Sequence, residues 1–152
     1  MRNRVKKEIK DQGHHPLTVP ADKIKGFLRL SQALTACELD PVLAGTYFVR
    51  GQQAFGAQFE ALINQFETLT SQVRTPAFVI RQHIFPDPTL GPIAKAILLL
   101  WYIGAIQNTS TGDWQIESAD DYYRALVWDA IGAHPPTLSN GYFGHWKYPP
   151  EM

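Results

Sequence analysis

Apolar residues recur along this chain at intervals of three and four, the spacing of helices that bury one face. Phe27, Leu30, Ser31, Leu34 and Cys37 share one face of a helix predicted over 23–37, with Asp22 as its N-cap. Asp40 followed by Pro41 repeats a helix start: a side-chain cap, then a residue with a preset φ and no N–H to satisfy. The helix it opens is predicted over 41–54, with Leu43, Tyr47, Ala54 and Phe55 inward and Gly51 among them. A third, over 57–70, turns Phe59, Leu62, Ile63, Phe66 and Leu69 inward. These two read either as separate helices or as one bent at Gly56.

Thr75-Pro76 opens a shorter segment that runs to residue 85. Its middle, 78–84, holds β-branched residues and also reads as a strand, but no hairpin partner is visible, so helix is preferred. Asp87-Pro88 starts a central helix that runs to Gly104. Between 93 and 103 it is apolar nearly all round, the pattern of a helix covered on every side. Residues 108–112 form a turn-rich loop. Ser118 caps a last helix over 119–131, Asp120 and Asp121 stand at its positive end, and Gly132 ends it.

The pattern predicts an all-α fold, a compact bundle of five or six helices around a buried central helix, occupying 21–132. A polar arm carrying Gly13, Pro16 and Pro20 precedes it over 1–20 and reads as flexible. The irregular stretch 133–152 contains Pro135, Pro136, Gly141, Gly144, Pro149 and Pro150, yet also Tyr142, Phe143, Trp146 and Tyr148. Disordered tails are poor in aromatics, so this is read as an ordered arm. It packs either on its own helices or on a partner, and the pattern leaves both open.

A chain of 152 residues is the size of one domain. Lys+Arg and Asp+Glu balance at 14 each, which leaves no basic excess to hold nucleic acid. Only 18% of residues are charged, so more of the surface is free to be apolar and to meet a partner. The longest apolar run, 93–106, contains Lys95 and falls short of the ~18 residues a spanning helix needs. The first ten residues are basic, but no apolar run follows, so no signal peptide is read there. Asn3 separates Arg2 from Arg4, so there is no twin-arginine pair. Cys37 is the single cysteine; it excludes an internal disulfide and reads as a small buried hydrophobe.

No constellation for chemistry emerges. No Gly-rich loop follows a predicted strand, and no Cys/His pair has zinc spacing. His14 and His15 are adjacent and point apart on any regular element; His83, His134 and His145 stand alone. Asp120-Asp121 resembles a catalytic carboxylate pair, but a helix start accounts for it. Ser31 and Ser118 have no neighbouring histidine to activate them. No catalytic, cofactor-binding or metal-ligating residue is therefore assigned. Of the four tryptophans, Trp101 belongs to the central helix, and Trp128 is placed in the core with Tyr123 and Leu126. Trp114 and Trp146 fall in loop and arm, where aromatics serve as interface anchors. The predicted partner surface is Tyr142, Phe143, Trp146, Tyr148 and Trp114.

Leu30-Ser31-Gln32-Ala33-Leu34-Thr35, followed by Leu39-Asp40 and Leu43-Ala44, resembles the opening of the small subunit of membrane-bound, FAD-dependent sorbitol and fructose dehydrogenases. Trp101-Tyr102-Ile103-Gly104 resembles that family's Trp-Tyr-x-Gly, and the likeness continues through Tyr123-Arg124-Ala125-Leu126-Val127-Trp128. The aromatic, proline-rich end, Gly141-Tyr142 and Trp146 through Pro149, resembles its close. The similarity covers residues 27–149; each motif is common alone, and their order and spacing give it specificity.

The resemblance implies an accessory subunit without a cofactor of its own, which supports maturation, stability and often export of a flavoprotein large subunit. FAD and the substrate site belong to that large subunit, and haem c to a cytochrome subunit that passes electrons to quinone. It also implies a periplasmic, membrane-associated complex. The absence of a signal peptide and of a twin-arginine pair departs from the family and keeps a cytoplasmic location open, unless the partner carries the signal. Phe143 stands beside Gly141-Tyr142, where family members often have a cysteine. A stand-alone helical binding or regulatory protein is the second reading; its mark is a pocket lined by Trp101 and the arm aromatics.

Overall fold

The chain folds as it is patterned, into helices joined by short turns. The computed structural model describes residues 19–72, 75–107, 111–116, 118–133 and 135. The N-terminal arm up to residue 18, His134, His145 and the arm aromatics Tyr142, Phe143, Trp146 and Tyr148 lie outside them.

Helix α1 (Ala21–Thr35) begins one residue after Pro20 and has no side-chain cap. Asp22 is thus not the N-cap the sequence predicts. It stands inside the first turn, where a carboxylate still favours the helix dipole. Helix α2 (Pro41–Phe55) starts as predicted: the Asp40 carboxylate accepts from the Val42 N–H at 2.8 Å. The chain reverses at Gly56 into α3 (Ala57–Ser71), so the two are separate helices. The three meet through Phe27, Phe48 and Phe59, all fully buried, with ring centroids 5.3–6.0 Å apart.

Thr75 caps α4 (Pro76–Val79), which runs on as a π turn over Ile80–Ile84. The ambiguous segment is therefore helical. Asp87 accepts from the N–H groups of Thr89 and Leu90, both at 2.8 Å, and α5 (Leu90–Ile103) follows. Helix α5 packs against α1, α2, α3 and the last helix, which makes it the centre of the bundle. Ile93, Ala94, Ile97, Leu100 and Trp101 are buried. Cover is not complete on every side, however: Lys95 is exposed and Leu99, one turn on, is 40% exposed.

After α5 a small antiparallel hairpin, β1 (Ile106–Gln107) against β2 (Trp114–Gln115), brackets the loop predicted over 108–112. Ser118 caps the last helical segment as predicted, its hydroxyl accepting from the Asp121 N–H at 3.2 Å. The single helix predicted over 119–131 is two short ones, α6 (Ala119–Tyr123) and α7 (Leu126–Ile131), with Gly132 closing α7 in the left-handed region. Between them Ala125 is extended and buried, so the chain steps inward there instead of continuing the helix. The fold is all-α apart from that hairpin.

Candidate functional site

The best-built polar feature joins α2 to α6. Counting inward-facing positions along α2 from Leu43 through Tyr47 puts Arg50 and Gly51 inside, and both are buried. A buried guanidinium stays charged, so it needs a carboxylate in contact. Arg50 donates through Nη2 to Asp121 Oδ2 at 2.8 Å, and the side chains are only 8% and 4% exposed. The same Asp121 oxygen accepts from the Ser118 hydroxyl at 2.6 Å. The approach depends on Gly104, which ends α5 with φ 69°. A Cβ there would stand 2.7 Å from the Asp121 carbonyl oxygen, so only glycine lets α6 lie against the end of α5.

Two aromatic residues flank the ion pair. Tyr47 lies under Arg50, whose guanidinium carbon is 5.4 Å from the ring centroid, and meets Trp101 edge-on with centroids 4.7 Å apart. The Tyr47 hydroxyl and the Trp101 indole N–H are both buried with no hydrogen-bond partner among the described residues, as is the Ser31 hydroxyl. Burial pushes the Tyr47 phenol up to about 12, and the Asp121 carboxylate adds to the rise.

Beside this centre lies an open cleft of about 380 Å³ lined by Glu38, Leu39, Asp40, Leu43, Trp101, Arg124 and Leu126. Leu39, Leu43, Leu126 and the Trp101 ring give it apolar walls. Arg124, in the step between α6 and α7, reaches Asp40 at 3.4 Å and Asp120 at 3.0 Å. On the other side of that step, the Trp128 indole N–H donates to the Tyr122 carbonyl at 2.6 Å.

The family-like motifs fall on structural positions. Leu30 and Ser31 are buried in α1, with Leu34 half-buried; Asp40 caps α2; Trp101 is buried, with Tyr102 half-buried beside it; Tyr123 is half-buried. Trp128 is half-buried at the surface and not in the core as the sequence predicts; its indole N–H donates to a local carbonyl and its ring meets Tyr122 edge-on with centroids 5.0 Å apart. Trp114 is 48% exposed on β2. The cleft brings Asp40 and Trp101 together, and Gly104 touches α6. Arg50 is the residue that sequence reading missed. The signal was its place on the inner row of α2, three residues after Tyr47.

The Asp121 carboxylate is held by a buried guanidinium and a hydroxyl, and the Ser118 hydroxyl faces that carboxylate. Among the described residues no three His, Cys, Asp or Glu side chains gather as a metal site. No helix among them is long and apolar enough to cross a membrane. A family model described as membrane bound FAD containing D-sorbitol dehydrogenase matches residues 8–150. No curated protein matches the chain.

Proposed function

The chain belongs to the family of membrane-bound, FAD-containing D-sorbitol dehydrogenases, and from that premise we propose that it is the accessory small subunit of a sugar or polyol dehydrogenase complex. It binds and stabilises a flavoprotein large subunit, which holds the FAD and the substrate, while a cytochrome subunit carries haem c. This chain supplies no catalytic group and no cofactor. The observation that carries the reading is the family match across nearly the whole chain, in a molecule whose central polar group is a closed ion pair. Exposed apolar side chains give further support: Trp114, Ile116 at 61% and Ile131 at 62% stand in water in the last third of the described residues. The complex is placed at the periplasmic side of the membrane, this chain bound to it through its partners.

The contact surface is assigned to Trp114 and to the arm residues Tyr142, Phe143, Trp146 and Tyr148. Burying large aromatic side chains offsets part of the entropy lost in ordering an irregular arm, and a large partner offers more cover for them than a small domain. The test is co-expression with the flavoprotein and purification through a tag on this chain. The full chain brings down a yellow, FAD-containing partner; the chain cut after Thr137 keeps its helical circular dichroism and loses most of that partner. Full-strength capture by the cut chain removes the arm from the interface. A flavoprotein that folds, holds FAD and turns over equally well without this chain overturns the accessory role. The stand-alone binding reading draws on the cleft beside Trp101 and requires the opposite result: a stable monomer that captures no flavoprotein.

A further inference from the structure

The cleft between residues 38–43, Trp101 and residues 124–126 has the chemistry of a receptor for a long basic side chain. Its walls are aliphatic and aromatic: Leu39, Leu43, Leu126 and Trp101. Its rim is acidic. Glu38 is exposed and has no ion-pair partner among the described residues, and the Asp40 carboxylate shares Arg124 with Asp120. Two carboxylates thus hold the Arg124 guanidinium while Glu38 stands apart from it, so among the described residues the rim keeps an excess of negative charge. A second observation points the same way. Trp101 lines the cleft at 2% exposure, and its indole N–H has no acceptor among the described residues. A backbone carbonyl entering beside the ring would supply one.

We propose that this cleft receives a lysine or arginine side chain from an extended segment of the flavoprotein partner, its aliphatic stem along Leu39, Leu43 and Leu126 and its charged head against Glu38 and Asp40. Long basic side chains bury their stems on apolar surface while the head stays polar, and an indole face attracts the same cation. The volume of about 380 Å³ suits one such side chain and its neighbour on the strand. This assignment rests on the accessory-subunit reading above and adds to it the chemistry of the partner segment.

Asp40→Asn keeps the α2 cap, because asparagine caps as well as aspartate, and removes the charge together with its ion pair to Arg124. The double variant Glu38→Gln, Asp40→Asn is titrated against the purified flavoprotein, with Asp22→Asn on the exposed start of α1 as control. The double variant binds about tenfold more weakly at low salt, the loss shrinks at high salt, and the control binds as the unaltered chain does. Equal affinity of the double variant and the unaltered chain overturns the proposal. Faster proteolysis of residues 136–152 in the isolated double variant also overturns it, because the chain's own Lys147 would then be the occupant. If the double variant does not fold, Glu38→Gln alone, at an exposed residue outside any helix, replaces it with the same reading at a smaller loss. If the unaltered chain fails to bind the flavoprotein, the accessory-subunit reading fails before this one is reached.

Discussion

Arg50 and Asp121 stand 71 positions apart in sequence and 2.8 Å apart in the fold, and each is costly to bury alone. Asp121→Ala takes a buried carboxylate away from the guanidinium and is expected to destabilise by about 3–5 kcal/mol in urea unfolding. Arg50→Met with Asp121→Leu removes both charges and recovers most of that loss; a double variant as unstable as the single one would show that the pair contributes more than mutual neutralisation. Tyr47 gives a pH signature. Its folded phenol sits at about 12 against an ordinary 10, so the neutral form is the one the fold favours. Its contribution is complete below pH 10 and is lost as pH climbs toward 12. Comparing the unaltered chain with Tyr47→Phe by urea unfolding from pH 9 to 12 isolates that loss, about 2 kcal/mol by the upper end. Identical profiles for the two proteins would refute it. The variant also deletes a buried hydroxyl that has no partner among the described residues, so its stability at neutral pH should be unchanged or higher.

At the scale of elements, helix starts were legible because a cap is a local event. Asp40-Pro41, Thr75-Pro76 and Ser118 each place an oxygen acceptor two or three residues before the N–H it satisfies. The misread positions have other causes. Asp22 sits inside a helix whose start is set by Pro20, and α6 and α7 part because Ala125 turns into the core. Strands of two residues are too short to show a period of two, so the hairpin left no pattern to read. The candidate site was half legible: Asp40, Trp101 and Gly104 stood out as motif residues, whereas Arg50 reads as an ordinary surface cation until the row it occupies is counted. Gly104 carries an element-scale prediction. Gly104→Ala forces a side chain onto a positive φ and against the Asp121 backbone, and should cost about 2–4 kcal/mol in thermal or urea unfolding. A change below about 1 kcal/mol would mean that α6 moves away freely. Gly51→Ala meets the fully buried Phe59 ring at 2.3 Å and tests the α2–α3 contact in the same way.

For the whole molecule, exposed large apolar side chains are spread over the described residues, from Val42 at 78% to Ile131 at 62%. The exposed Trp114 and Ile116 lie two residues apart in and just beyond β2, and so fall on the same side of an extended chain. Replacing both by serine should leave the unfolding midpoint of the isolated chain nearly unchanged, raise its solubility and weaken capture of the flavoprotein severalfold. Undiminished capture would move the interface elsewhere. The ion pair between α2 and α6 also has a consequence in time. A ribosome delivers Arg50 long before Asp121, and the phenylalanine contacts that unite α1, α2 and α3 need nothing beyond residue 59. The nascent chain can therefore gather its first three helices before the Asp121 carboxylate exists. Asp121 then ties α6 to an α2 already in place, so the segment made late is fastened to the part that folds early.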